Sequence, residues 1–469
     1  MMKRIFFIVL MFFVNKNMLA AEAKPLADSL VTVGGHASQL PHPFMVLPFI
    51  VLLLLIATGP IFYKHFWERN YHKVSMLLGL VTISYYVGYL NDFKSIEHSV
   101  TEYISFIALL TSLFIASGSI LITVNTKATP LTNGVFLLVG AVISNFIGTT
   151  GASMLLIRPF IKMNRERMRP YLIIFFIFIV SNIGGGLTPI GDPPLFLGFL
   201  RGVPFFWVIQ NVWFIWLIAI LVTLVIFLLF DFSNKEGLKT DGISGKHLVV
   251  LKGSKNLLYF VIIIISVFLD PKVISWVPSL SPLPFGIREI IMFAVAFASF
   301  KSADLEILKA NEFDFEPIKE VAYLFVGIFL TMIPALQLIA YESRVYSHYL
   351  TQTTFYWSTG VLSAVLDNAP TYLNFLSAAM GKFGLDINLA ADVQHFVIVD
   401  DIYLRAISVS AVFFGAMTYI GNGPNFMVKS ISERAGIQMP SFFTYIIKYS
   451  LPILLPIFAI IWFLFFRGL

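Results

Sequence analysis

Two carboxylates in this chain sit where water is scarce. Asp192 lies in Gly185-Gly186-Leu187-Thr188-Pro189-Ile190-Gly191-Asp192-Pro193-Pro194-Leu195-Phe196, and Asp367 in Leu366-Asp367-Asn368-Ala369-Pro370-Thr371, each inside an otherwise apolar stretch. A charged side chain within a membrane is costly, and its usual explanation is an ion or proton pathway. Carboxylate, amide carbonyl and hydroxyl oxygens are hard ligands that suit Na⁺ or H⁺ rather than a soft metal. Desolvation favours the neutral form of a carboxyl and a nearby cation the charged form. One aspartate can then hold either Na⁺ or a proton, the minimum chemistry for exchange. The competing role for Asp192 is to cap a half-helix that begins at Pro193-Pro194, and the two roles are compatible.

The segments that carry these acids are broken helices. Apolar stretches near 132–161, 170–200, 353–380 and 395–428 are interrupted by Gly, Pro and polar residues. Unpaired backbone in hydrocarbon is tolerated only around a buried or wet cavity. Gly permits positive φ and Pro removes a helical donor, so both allow a break. The exposed helix ends carry partial charges that attract ions. Thr, Ser, Asn and Asp residues at these breaks then supply side-chain oxygens.

The breaks also repeat. Gly185–Phe196 aligns with Gly415-Ala416-Met417-Thr418-Tyr419-Ile420-Gly421-Asn422-Gly423-Pro424-Asn425-Phe426, so that Asp192 faces Asn422. Upstream, Ala141-Val142-Ile143-Ser144-Asn145 aligns with Ala364-Val365-Leu366-Asp367-Asn368, and Glu102 with Glu320 as openers of matched spans.

Composition demands a membrane. The 469 residues are 58% hydrophobic and 12% charged, about half the charge of a soluble domain. No cysteine is present, which excludes disulfides, Cys-ligated zinc and thiolate chemistry. The net charge of +6 reflects basic loops and implies no nucleic-acid partner. Ordinary spans fall near 44–63, 72–90, 101–123, 205–231, 257–276, 285–300, 317–341 and 441–466. With 24–43 outside, the inner segments hold 18 Lys and Arg and the outer ones 7, the bias that orients inner-membrane proteins. That topology makes 132–161 and 353–380 re-entrant hairpins from opposite faces and leaves the C-terminus periplasmic. The fold expected is all-α and polytopic, with inverted repeats, two re-entrant hairpins and two unwound helices.

The domains then run as follows. Residues 1–23 form a signal peptide or a first helix, with Lys3 and Arg4 before an apolar run and Ala21-Glu22-Ala23 as a cleavage site. Residues 24–100 hold an outer segment and two scaffold helices, 101–232 the first repeat, and 233–256 a basic cytoplasmic loop. Residues 257–316 link to the second repeat at 317–469.

Other polar residues read as structural. Glu102 and Glu320 complement helix dipoles at span ends. Asp400 and Asp401 lie near Arg405 and either line the outer entry or form an ion pair, the pair being favoured, while Asp270 and Glu289, beside Arg288, look interfacial. The histidines His36, His42, His65, His72, His98, His247, His348 and His395 lie mostly in loops, which argues against a proton relay or a metal site. An intramembrane enzyme lacks its motifs here: there is no HExxH, and Asp192 lies in IGDP rather than GxGD. No catalytic residue and no cofactor is expected.

At Ser181–Phe199, Ile147–Pro159, Leu366–Phe375 and Tyr419–Lys429 the chain resembles the ion transporter superfamily. That group includes NhaD-type Na⁺/H⁺ antiporters, citrate and dicarboxylate carriers and arsenite permeases. The motifs are most similar to the NhaD-like sequences. The resemblance covers nearly everything after residue 40. It implies a homodimer in the bacterial inner membrane, with a scaffold and a moving transport domain. It also implies Na⁺ (or Li⁺) exchanged for H⁺, with Asp192 and Asp367 as ligands of the metal ion. Carried over to this sequence, it places Ser144, Asn145, Thr149 and Thr150 at the first hairpin and Ser181, Asn182, Thr188 and Asp192 at the first unwound helix. It places Asp367, Asn368 and Thr371 at the second hairpin and Thr418, Asn422 and Asn425 at the second unwound helix. Na⁺-coupled transport of a small anion such as citrate is the alternative. Here the second hairpin reads Asp367-Asn368-Ala369 where carboxylate carriers have Ser-Asn-Thr, which suits a cation better than an anion.

Overall fold

A computed structural model describes residues 30–33, 36–234, 249–271, 273–274, 276–280 and 283–468. The leader at 1–23 and most of the basic loop 233–256 (Lys235, Lys239, Lys246 and His247 among them) lie outside the described residues. A short antiparallel ladder, β1 (Leu30–Val33) with β2 (His36–Gln39), precedes the first helix. Almost everything after it is helical.

The first half contains α1 (Leu47–Phe62), α2 (Lys64–Leu90), α3 (Phe93–Gly118), α4 (Pro130–Met163), α5 (Pro170–Ile179), α6 (Pro193–Arg201) and α7 (Trp207–Ser233). The second contains α8 (Asn256–Val267), α9 (Ile287–Ser302), α10 (Leu305–Ala310) and α11 (Glu316–Val345). It continues with α12 (Gln352–Val365), α13 (Asn368–Lys382), α14 (Ala390–Val399), α15 (Asp401–Phe414), α16 (Gly423–Arg434) and α17 (Phe442–Phe466). Among the described residues, seven helices are long and apolar enough to cross a membrane.

Local chemistry sets these boundaries. Thr129 and Thr351 cap α4 and α12 by accepting from Thr132 N and Thr354 N, and Asp92 caps α3 by accepting from Ser95 N. Because Asp92 opens α3, the helix begins well before Glu102 and ends at Gly118, not at 123. Residues Leu121–Val124 instead form β3, paired antiparallel with β4 (Val249–Lys252). Two of the expected spans, 257–276 and 285–300, yield only the 12-residue α8 and the 16-residue α9. Both fall short of the about 20 residues an apolar core requires.

The apolar pattern sorts helices by position. In α5 every residue from Leu172 to Ile179 is buried, so this all-round apolar helix lies within protein. Helices α1 and α7 present Leu54, Leu221, Val225 and Leu229 outward, as lipid-facing helices do. Where α2 meets α11 the backbones come close: Ser75 Oγ donates to Tyr323 O at 2.6 Å, beside Gly327.

Several buried charges are paired. Arg288 Nη1 lies 2.8 Å from Asp270 Oδ2 and its Nε 2.7 Å from Glu289 Oε1, and Ser105 donates to Glu289. Glu289 is buried between α9 and α3 rather than interfacial, because Arg288 and Ser105 satisfy it there. Asp231, at the end of α7, accepts from Arg167, Tyr171 and Asn133. Arg405 pairs with Asp401 one turn before it, as expected.

Candidate functional site

Four helix breaks converge in the interior. In α4 the break is at Gly148, whose φ of +77° a residue with a side chain rarely adopts. Thr149 N then donates to Gly191 O at 2.8 Å, stitching the first break to the second. That second break runs between α5 and α6 and ends with Asp192 in extended conformation just before Pro193. The third lies between α12 and α13, and the fourth between α15 and α16, where Asn422 is likewise extended before the helix.

Asp192 is the centre. It is 1% exposed. Its Oδ1 accepts from Thr149 Oγ1 at 2.7 Å and from Asn422 Nδ2 at 3.0 Å, and its Oδ2 accepts from Asn368 Nδ2 at 2.6 Å. One donor therefore comes from each of the other three breaks. All three are neutral. The same Asn368 presents its Oδ1 buried and with no hydrogen-bond partner.

A second ring of amides supports this shell. Asn182 Nδ2 donates to Asn425 Oδ1 at 2.6 Å, and Asn422 Nδ2 also reaches Ser181 O and Asn182 Oδ1, each at 3.2 Å. Asn425 Nδ2 donates to Gly415 O at 2.8 Å and Thr418 O at 2.9 Å, which holds the fourth break open. Asn145 does the same for the second break, donating to Gly184 O at 2.7 Å and accepting from Leu187 N at 2.9 Å. Ser144 Oγ donates to Val180 O, and Ser181 Oγ meets Ser153 Oγ, which sequence reading had passed over.

Not every expected residue joins. Asp367 caps α13 by accepting from Ala369 N at 2.9 Å, is only partly buried, and among the described residues has no side-chain hydrogen bond to the Asp192 shell. Thr371 Oγ1 donates to the Asp367 carbonyl. Thr150 is half-buried beside Thr149.

The paired threonines fix a register. Thr188 Oγ1 donates to Asn145 O and Thr418 Oγ1 to Ala364 O, each at 2.6 Å, and each also accepts from the glycine three residues on. Asn145 is thus the counterpart of Ala364, and Thr149 of Asn368. The alignment of Asn145 with Asn368 is off by four positions, one turn of helix, because it followed shared residue types rather than shared carbonyl partners. Asp192 and Asn422 each stand in extended backbone just before a half-helix.

Glu102 is also not a helix-end residue. It is buried in α3, and Arg201 grips it with Nε 2.5 Å from Oε1 and Nη2 2.7 Å from Oε2. A lone Arg at the end of a broken helix was the only sequence sign. Glu320, by contrast, is exposed near the start of α11.

Comparison with known proteins adds one finding. The family model described as "Putative citrate transport" matches residues 37–466. No curated protein matches the chain.

Proposed function

The chain belongs to that citrate-transport family of multi-pass membrane carriers, and on this premise we propose that it exchanges Na⁺ (or Li⁺) for H⁺ at Asp192 by alternating access. One observation supports the reading above the others. A fully buried carboxylate is held by three neutral donors, with no guanidinium or ammonium among the described residues bonded to it, and an unpartnered amide oxygen lies beside it. In a site of low dielectric that negative charge calls for a small cation. Na⁺ and H⁺ compete for the same oxygens, so arrival of one releases the other.

The donors hold the carboxylate still while its partner changes. Thr149, Asn368 and Asn422 orient Asp192, and Asn145, Asn182, Asn425, Thr188 and Thr418 keep the broken backbone open around it. The matched threonine bonds and the matched Asp192 and Asn422 turns support two structural repeats. In our reading these have inverted topology, with re-entrant hairpins at 132–161 and 353–380. The protein would sit in the inner membrane as a homodimer with its C-terminus periplasmic.

A second reading is Na⁺-coupled uptake of citrate or another small carboxylate. The family description favours it, as do the N-termini of α6, α13 and α16, whose partial positive charge faces the site. Everted vesicles loaded with a pH-sensitive dye separate the two. Exchange predicts a proton signal on adding NaCl or LiCl but not KCl, and no citrate uptake. Citrate accumulation that requires Na⁺, without Na⁺-driven proton movement, replaces it with the second reading.

A further inference from the structure

A cavity of about 900 Å³ is lined by Lys94, His98, Arg201, Gln337 and Asn388 among others. Arg201 is also the last residue of α6, the half-helix that Asp192 begins. Nine residues of α-helix span about 13 Å and move as one piece. One end of this strut carries the candidate cation ligand and the other faces the cavity.

The strut is held at three points along its length. At its far end Arg201 grips Glu102 of α3 through both carboxylate oxygens and also donates to Asn388, in the loop after α13. At mid-length Gly198 lies against Tyr372 of α13, where an added Cβ would fall 2.4 Å from Tyr372 Oη. At the near end Asn368 of the same α13 donates to Asp192. Glu102 also has a replacement donor at hand, since His98 Nε2, one turn earlier and lining the cavity, is 3.6 Å from Oε1.

We propose that Glu102 and Arg201 form a latch that positions Asp192 from the cavity side: while Arg201 holds Glu102, α6 keeps Asp192 within reach of its three donors, and release of Arg201 lets the strut shift and opens the cation site. This rests on the reading of Asp192 as the cation ligand. Both residues act through α6 and are positioning residues.

The test exploits a chain without native cysteine. Ala369, fully buried beside Asn368, is replaced by cysteine in the full-length protein, and labelling by a membrane-permeant maleimide is timed. Glu102→Gln and Arg201→Gln should each speed labelling at least fivefold. The exchange Glu102→Arg with Arg201→Glu should return the rate to within twofold of the parent. In the transport assay, Glu102→Gln should raise the Na⁺ half-saturation at least tenfold and leave the maximal rate within twofold, a split that general destabilisation does not produce. Labelling unchanged by Glu102→Gln overturns the latch, and so does a charge exchange that labels as fast as the single variants. Size-exclusion profiles confirm folding, and Glu102→Gln carries the test if the Arg201 variants do not fold. Labelling needs no transported ion. It therefore reports on the latch even if Na⁺ proves not to be the cargo.

Discussion

The amide nitrogen of Asn368 lies 2.6 Å from Asp192 Oδ2, joining two helix breaks that are 176 residues apart in sequence. A hydrogen bond to a charged group contributes about 1.5–3 kcal/mol. Asn368→Ala should therefore weaken the charged carboxylate's hold on Na⁺, raising the Na⁺ half-saturation about tenfold or more in a vesicle flux assay. Asn422→Ala, which removes a 3.0 Å bond to the other oxygen, should act in the same direction.

Asp367 and Asp192 should behave differently. Asp367 spends its oxygen on its own helix, capping Ala369 N, and asparagine caps about as well as aspartate. Asp367→Asn should keep exchange within about threefold of wild type, whereas Asp192→Asn should abolish it. Equal loss in both variants would return the exchangeable charge to the pair.

The breaks need bare glycine at matched places. An added Cβ would lie 2.2 Å from Gly185 O at Gly191 and 2.7 Å from Gly415 O at Gly421, but would meet nothing within 4 Å at Gly423. Gly191→Ala and Gly421→Ala should lower the melting temperature in detergent and cut transport sharply. Gly423→Ala should do neither.

Arg167 and Asp231 should matter for folding and not for transport affinity. Arg167 is 1% exposed and Asp231 is fully buried. Arg167→Met leaves that carboxylate unpaired, at a cost of about 3–5 kcal/mol. A thermal-shift experiment should show the loss, while the Na⁺ half-saturation of the folded fraction stays within about twofold of wild type, since the pair lies outside the Asp192 shell.

How much of this was legible beforehand depends on distance along the chain. Asp192 was readable because Gly, Pro and Thr surround it in an apolar run, a local pattern that no lipid-facing helix needs. The match of Asp192 to Asn422 was readable for the same reason. The register of the first break against the third was not, because Ala-Val and Asn recur by chance in apolar sequence, whereas the hydrogen bonds match residues by which carbonyl each threonine meets. Glu102 was misread because its helix starts at Phe93, inside a polar stretch that looked like a loop. Its partner Arg201 is 99 residues away, and only the folded arrangement of α3 and α6 brings the two together. Asp367 resembled Asp192 in setting, and what separates them is the donor each accepts from, the Ala369 N–H of its own helix for Asp367 and side chains of three other breaks for Asp192. The overall class of fold, mostly helical with many apolar spans, was carried by composition.

The measurement that bears most directly on the account is Na⁺-driven proton movement in everted vesicles containing wild type or Asp192→Asn, at matched protein levels. The account predicts a saturable response to NaCl in wild type and none above empty vesicles in Asp192→Asn, with the variant folded by size exclusion. A full response in Asp192→Asn, or none in wild type, would contradict it.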